Sequence, residues 1–141
     1  MAHSPPHPRE LLHETRFQPA WRALLAVLMA VVAWFAFTPS GGAPSFGIGD
    51  KIDHLLAFGA LASAGALSAR AGRCQTLQAA LGLLAYGGFI ELVQTQIPTR
   101  TGEWADLLAD AVGMAGGLLL VALLRRLWRP TLRLERERCA D

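Results

Sequence analysis

The sequence contains few charged residues: Asp, Glu, Lys and Arg make up 17% of its 141 residues, whereas 52% are hydrophobic. Soluble globular domains carry about 25% charged residues, so this chain lacks the charge needed to coat a globule in water. Its length also excludes a separate soluble catalytic domain beside several membrane spans. The composition therefore predicts a small integral membrane protein.

Long uncharged stretches are scarce as well. The first runs for 27 residues, from Ala23 to Gly49, and is apolar up to Phe37. Three later stretches cover only 15, 17 and 14 residues: Leu55 to Ala69, Cys74 to Ile90 and Ala111 to Leu124. A helix needs about 20 residues to cross about 30 Å of hydrocarbon. The three later helices reach that length only if they include the ionisable residues beside them.

Extending the stretches in this way predicts an all-α fold, a four-transmembrane-helix bundle with helices at about 21–38, 50–69, 76–97 and 104–124. Pro98 should end the third helix, because its ring denies the preceding turn a hydrogen bond. Residues 1–20 are predicted to be a flexible N-terminal segment and residues 125–141 a basic tail, both cytoplasmic.

Basic residues fall almost entirely on one side of the predicted bundle. Eleven arginines precede the first helix, lie between the second and third, or follow the fourth; only Lys51 and Arg100 lie on the other side. The positive-inside rule therefore predicts that both termini are cytoplasmic. The arginine-rich tail indicates topology and contact with anionic lipids, not nucleic-acid binding. Gly41 to Ala43 would suit signal cleavage, but the 22-residue leader is long and we expect the first helix to be retained.

Cysteine is rare, and no disulfide is predicted. The two cysteines, Cys74 and Cys139, both fall on the predicted cytoplasmic side, where thiols stay reduced. Their spacing matches no metal-binding motif. The cysteines therefore predict no metal site, and no cofactor is expected.

Ionisable residues crowd the opposite, extracytoplasmic half of the predicted bundle. His54 and Asp110 lie about 6 Å in from the ends of their helices, and Glu91 lies about 9 Å in. Charged groups at membrane depth are costly, so side chains at one level should face one another or a wet cavity. The sequence therefore predicts a polar, acidic pocket open to the extracytoplasmic side.

Helical spacing places these acids on inward faces. Asp106 and Asp110 share a stripe with Gly113 and Gly117, at i, i+4, i+7 and i+11, where small residues permit close helix packing. Glu91 likewise has a glycine one turn before it. A purely structural interpretation of Asp106 and Asp110 also stands, because acids are favourable near the positive end of a helix dipole.

Three motifs in order resemble the VanZ-like family over about residues 20 to 125: Asp50-Lys51-x-x-His54, Gly87-x-x-x-Glu91-x-x-Gln94-x-x-x-Pro98-x-Arg100, and Asp106-x-x-x-Asp110-x-x-Gly113. The resemblance implies a small polytopic protein of the bacterial cytoplasmic (inner) membrane. Name-giving members are associated with resistance to the glycopeptide teicoplanin. Together, the resemblance and the spacing give these candidate binding residues: Asp50, Lys51, His54, Glu91, Gln94, Arg100, Asp106 and Asp110.

Two functions fit this pattern. The favoured one is binding of a lipid-linked or envelope-related ligand by the acidic pocket. The alternative is a small membrane enzyme acting on a lipid-linked substrate, with His54, Glu91 and Asp106 as candidate catalytic residues in acid-base or metal-assisted chemistry. Expected partners are membrane lipids, a lipid-linked envelope intermediate, and either further copies of the chain or an envelope complex. No nucleic acid is expected, and the lack of an inverted repeat disfavours a transporter.

Overall fold

The computed structural model describes Leu12 and residues 15–38, 49–69, 73–98 and 102–128, with the side chains of Asp50 and Arg73 excepted. After a short 3-10 turn, Thr15–Phe17, come four helices: α1 (Gln18–Phe37), α2 (Asp50–Ser68), α3 (Arg73–Gln94) and α4 (Trp104–Leu127). The predicted all-α fold with four helices is confirmed for this part of the chain. The described residues do not include Gly41 to Ala43, Arg100, Cys139 and the tail from residue 129.

Two of the differences between the predicted and the observed helix ends lie at prolines. Helix α1 begins at Gln18, three residues early, with Pro19 in its first turn, where the missing N–H is not needed. Helix α3 ends at Gln94 instead of residue 97. In a continuing helix the N–H of residue 98 would donate to the Gln94 carbonyl, but Pro98 has no N–H. The N–H of Ile97 donates to that carbonyl instead, at 3.0 Å, and tightens the chain into a turn.

Three helical segments are long and apolar enough to cross a membrane: Thr15–Phe37, Cys74–Gln94 and Trp104–Leu127. Such a set is typical of a multi-pass membrane protein. Helix α2 is not among them, because its first turns carry Lys51, Asp53 and His54. The crossing of the membrane by α2 and the orientation of the bundle stay predictions.

Helix α2, the one predicted span that is not among the three apolar segments, forms the centre of the bundle. It packs against all three other helices. Phe58, Leu61 and Ala62 on α2 are almost fully buried, whereas α1 has no buried residue of its own. Large apolar side chains are exposed along all four helices, as expected for surfaces that face lipid; on α2 they are Ile52, Leu55 and Leu56. The other three helices therefore cover mainly the second half of α2, from Phe58 onward.

Helices α2 and α4 run parallel with their backbones in contact. A Cβ atom on Gly113 would overlap the carbonyl of Leu55, and one on Gly117 would overlap the carbonyl of Gly59. The Ser63 hydroxyl of α2, which donates to the Gly59 carbonyl of its own helix at 2.8 Å, also lies 3.4 Å from the Gly117 carbonyl of α4. These contacts fix how far along its axis each helix lies relative to the other.

Two arginines bind the last turn of α2. The Arg22 Nε donates to the Ser68 carbonyl at 3.3 Å, and the Arg125 Nη2 donates to the Ala66 carbonyl at 3.0 Å. These carbonyls form the negative end of the helix dipole, where cations are favourable. The contacts join the start of α1 and the end of α4 to the end of α2, so α1 runs antiparallel to α2.

Tyr86 provides the first testable prediction, because its hydroxyl donates to the Met29 carbonyl of α1 at 2.6 Å. The substitution Tyr86→Phe removes only this hydrogen bond between α3 and α1. We expect the free energy of unfolding in detergent to fall by about 0.5–1 kcal/mol, the usual value for such bonds in membrane proteins. Tyr86→Leu, which also removes the ring packed near Phe58, should cost more; equal losses would contradict this account.

Candidate functional site

His54, Glu91 and Asp110, one residue from each of α2, α3 and α4, form a group that we call the histidine–carboxylate cluster. The His54 Nδ1 lies 2.9 Å from the Asp110 Oδ1 and 3.9 Å from the Glu91 Oε1. The side chains of these residues are 13%, 1% and 12% exposed, in the order His54, Asp110, Glu91. Three helices thus bring one imidazole and two carboxylates together inside the bundle.

Lys51 forms a separate group of ion pairs, closer to the helix ends. Its Nζ lies 2.9 Å from the Glu103 Oε2 and 3.2 Å from the Asp106 Oδ1. Asp106 is buried, whereas Lys51 and Glu103 are about half exposed. The carboxylate of Asp106 thus binds Lys51, and its candidate catalytic role with His54 and Glu91 stays a prediction. Asp106 lies one turn before Asp110 on α4 and is level with Lys51, so Asp110 takes its place beside His54.

The segment before α4 covers the cluster through its backbone. The Glu103 N–H donates to the Glu91 Oε2 at 2.9 Å. A Cβ atom on Gly102 would lie 2.6 Å from the Glu91 carbonyl oxygen, so only glycine permits this approach. Sequence analysis missed this role of Gly102 and Glu103. Gly102, two residues before α4, was the available signal of a close backbone approach, but no signal identified the Glu103 N–H.

Glycine also makes room for the second oxygen of Asp110. A Cβ atom on Gly87 would lie 2.7 Å from the Asp110 Oδ2 and 3.1 Å from two ring atoms of Phe58. Phe58 is 1% exposed and lies near Tyr86, so its ring is enclosed. The absence of a side chain at Gly87 therefore provides the space that the Asp110 carboxylate occupies.

Two oxygen atoms of the cluster are buried without a hydrogen-bond partner among the described residues: the Glu91 Oε1 and the Asp110 Oδ2. An unsatisfied buried acceptor costs about 1–3 kcal/mol, and more when it is charged. One ligand atom from each of the three cluster residues lies within 4.8 Å of the others. The arrangement can accept a proton donor, an ammonium group or a metal ion.

The other predicted binding residues do not join the cluster. The Gln94 side chain is buried and its Nε2 donates to the Ala36 carbonyl at 3.2 Å, which ties α3 to α1. The side chain of Asp50 and all of Arg100 lie outside the described part of the chain. The structure therefore brings together His54, Glu91 and Asp110, with Lys51 and Asp106 beside them.

Comparisons of the chain with protein-family models, with curated proteins and with solved structures find no match. The cluster and its surroundings are thus the observations from which a function can be inferred.

Proposed function

We propose that this chain is a VanZ-like protein of the bacterial cytoplasmic membrane, with all four helices crossing the bilayer and both termini in the cytoplasm. The order of the three motifs and the one-sided distribution of arginine support this topology. The antiparallel contact of Arg22 with the end of α2 supports an alternating path of the chain. In this orientation the histidine–carboxylate cluster lies in the extracytoplasmic half of the bundle.

The function of the cluster, in this proposal, is to bind a lipid-linked or envelope-related ligand at the outer leaflet. The observation that carries it is the pair of buried, unpartnered oxygens, the Glu91 Oε1 and the Asp110 Oδ2. Burial of a carboxylate oxygen without a partner is unfavourable. A ligand that supplies hydrogen-bond donors or positive charge, directly or through a bound cation, would remove this unfavourable free energy. The free energy recovered would contribute to the affinity for the ligand.

Access to the cluster runs past the Lys51–Glu103 ion pair, which lies at the predicted membrane surface. Both side chains are about half exposed, and exposed ion pairs contribute little to stability. Opening this pair would therefore require little free energy. The pair then acts as a rim over a site whose own side chains are mostly buried.

Lipid analysis of the purified protein tests this function, with Glu91→Gln as the variant. The carbonyl oxygen of a glutamine can still accept the Glu103 N–H, while its amide nitrogen replaces the unpartnered oxygen by a donor. We expect the variant to fold and its specifically co-purified lipid to decrease at least about tenfold relative to the wild type. Mass spectrometry would measure this lipid against total phospholipid. Glu103→Gln, which changes an exposed acid in the same way, is the matched control.

Equal lipid content in wild type, Glu91→Gln and Glu103→Gln, with helical content unchanged in all three, would contradict a ligand-binding cluster. A loss in both variants would place the ligand at the rim instead.

A second candidate function, acid-base catalysis on a lipid-linked substrate, is favoured by the 2.9 Å contact between His54 and Asp110. A carboxylate that holds one imidazole nitrogen fixes the tautomer and leaves the other nitrogen to transfer protons. His54 and Glu91 would be the candidate catalytic residues, with Asp110 as the positioning residue. A His54→Gln variant that still binds lipid but no longer converts it would distinguish catalysis from binding.

A further inference from the structure

The geometry points to a divalent metal ion of the zinc or manganese type in the histidine–carboxylate cluster. The ligands assigned to the ion are the His54 Nδ1, one oxygen of Glu91 and one oxygen of Asp110. Imidazole nitrogen is a good ligand for zinc and related transition-metal ions, and carboxylate oxygen is a good ligand for manganese and other hard ions. A ligand set that contains both suits zinc and manganese alike.

The distances within the cluster match the spacing of ligands around one ion. With metal–ligand bonds of about 2.0–2.2 Å, two ligands on the same ion lie between about 3 Å and 4.3 Å apart, depending on their angle. The His54 Nδ1 is 2.9 Å from the Asp110 Oδ1 and 3.9 Å from the Glu91 Oε1. One ligand atom from each of the three residues lies within 4.8 Å of the others, so the side chains would have to draw slightly closer to place all three atoms around one ion.

The buried Asp110 oxygen provides an independent observation. The Asp110 side chain is 1% exposed, yet its Oδ2 has no hydrogen-bond partner among the described residues. Gly87 keeps space open for this oxygen, since a Cβ atom there would lie 2.7 Å from it. A carboxylate oxygen kept in so enclosed a place without a donor is typical of a group that binds a cation.

Charge balance also favours an ion. Two ionised carboxylates and a neutral imidazole carry a charge of −2, which a divalent cation offsets. Among the described residues, Lys51 does not serve this purpose, because its Nζ binds Glu103 and Asp106. A bound ion would thus stabilise both carboxylates of the cluster in a region of low dielectric constant.

The ion would also define the class of ligand, a step that rests on the proposed function. Three protein ligands leave at least one coordination position open, as in catalytic zinc sites. Bare carboxylates repel phosphate, whereas a metal ion attracts its oxygens. The ligand class that fits is therefore a lipid carrying a phosphate or pyrophosphate group, bound through the ion.

Equilibrium dialysis of the full-length protein, stripped with a chelator and then supplied with Zn²⁺ or Mn²⁺ alone, tests the metal site. Elemental analysis should show saturable binding of one ion per chain. Asp110→Asn and Glu91→Gln should each weaken that binding at least about tenfold, with Gly88→Ala, where a Cβ atom would meet nothing within 4 Å, unchanged. If circular dichroism shows that Asp110→Asn does not fold, Glu91→Gln and His54→Gln provide the test.

The site is refuted if neither ion binds stoichiometrically, or if binding persists unweakened in the folded cluster variants. It is also refuted if binding disappears in a variant lacking His3 and His7, because the ion would then belong to the N-terminal segment. Stoichiometric ion binding together with unchanged lipid content in Glu91→Gln would refute the proposed function alone. Lipid loss in Glu91→Gln without any bound ion would refute the metal site alone.

Discussion

Gly113→Ala should destabilise the protein severely, because the new methyl group would overlap the backbone carbonyl of Leu55. A side chain could rotate away from such a contact, but a helix backbone cannot. Relief would require α2 and α4 to separate along the contact that also includes Gly117. We expect a loss of about 3 kcal/mol or more in the free energy of unfolding, at the upper end for overpacked cores. Thermal unfolding in detergent, followed by circular dichroism, would measure it.

Gly116→Ala is the matched control for this prediction, since it makes the same chemical change on the same helix. A Cβ atom on Gly116 would meet no atom within 4 Å. Alanine also favours a helix over glycine by about 1 kcal/mol, so this variant should be as stable as the wild type or slightly more stable. Similar unfolding temperatures for the two variants would show that α2 and α4 do not pack as described.

The direction in which the acids of α4 point could be predicted from the sequence alone. Asp106, Asp110, Gly113 and Gly117 share one helical face, and all four are buried in the structure. The spacing of residues defines a face because the helix has a fixed number of residues per turn. Glycines on that face then identify it as the side that packs closely against a neighbouring helix.

The choice between Asp106 and Asp110 as the partner of His54 could not be made in this way. Both acids lie on the same face, one turn apart, so the outcome depends on how far α4 is displaced along its axis relative to α2. That displacement follows from backbone contacts, such as the one between Gly113 and Leu55. A displacement of one turn, about 5.4 Å, would place Asp106 beside His54 and move Asp110 one turn further along α2.

The N–H group that donates to Glu91 was equally beyond prediction. It belongs to the backbone of Glu103, and every residue other than proline has such a group. No residue type or spacing therefore distinguishes it. The low hydropathy of α2 comes partly from Lys51 and His54, which bind acids on or next to α4, so their polarity is satisfied within the protein.

Gly87→Ala should disable the histidine–carboxylate cluster while the helices remain folded. The added methyl group would lie 2.7 Å from the Asp110 Oδ2 and 3.1 Å from the enclosed ring of Phe58. Because His54 holds the other oxygen of Asp110, the carboxylate can relieve this contact only by turning away from His54. We expect the affinity of the cluster for Zn²⁺ or Mn²⁺ to fall about 10- to 100-fold, as when groups that orient metal ligands are changed, and the co-purified lipid to decrease in parallel.

The neighbouring substitution, Gly88→Ala, controls for the loss of a glycine from α3, because a Cβ atom there would meet nothing within 4 Å. It should retain wild-type ion and lipid binding, with helical content equal to that of Gly87→Ala. If both variants bind as the wild type does, the space beside Asp110 has no functional role. If only Gly87→Ala loses binding, the orientation of one buried carboxylate determines the affinity of the site, since neither substitution removes a charge or a ligand atom.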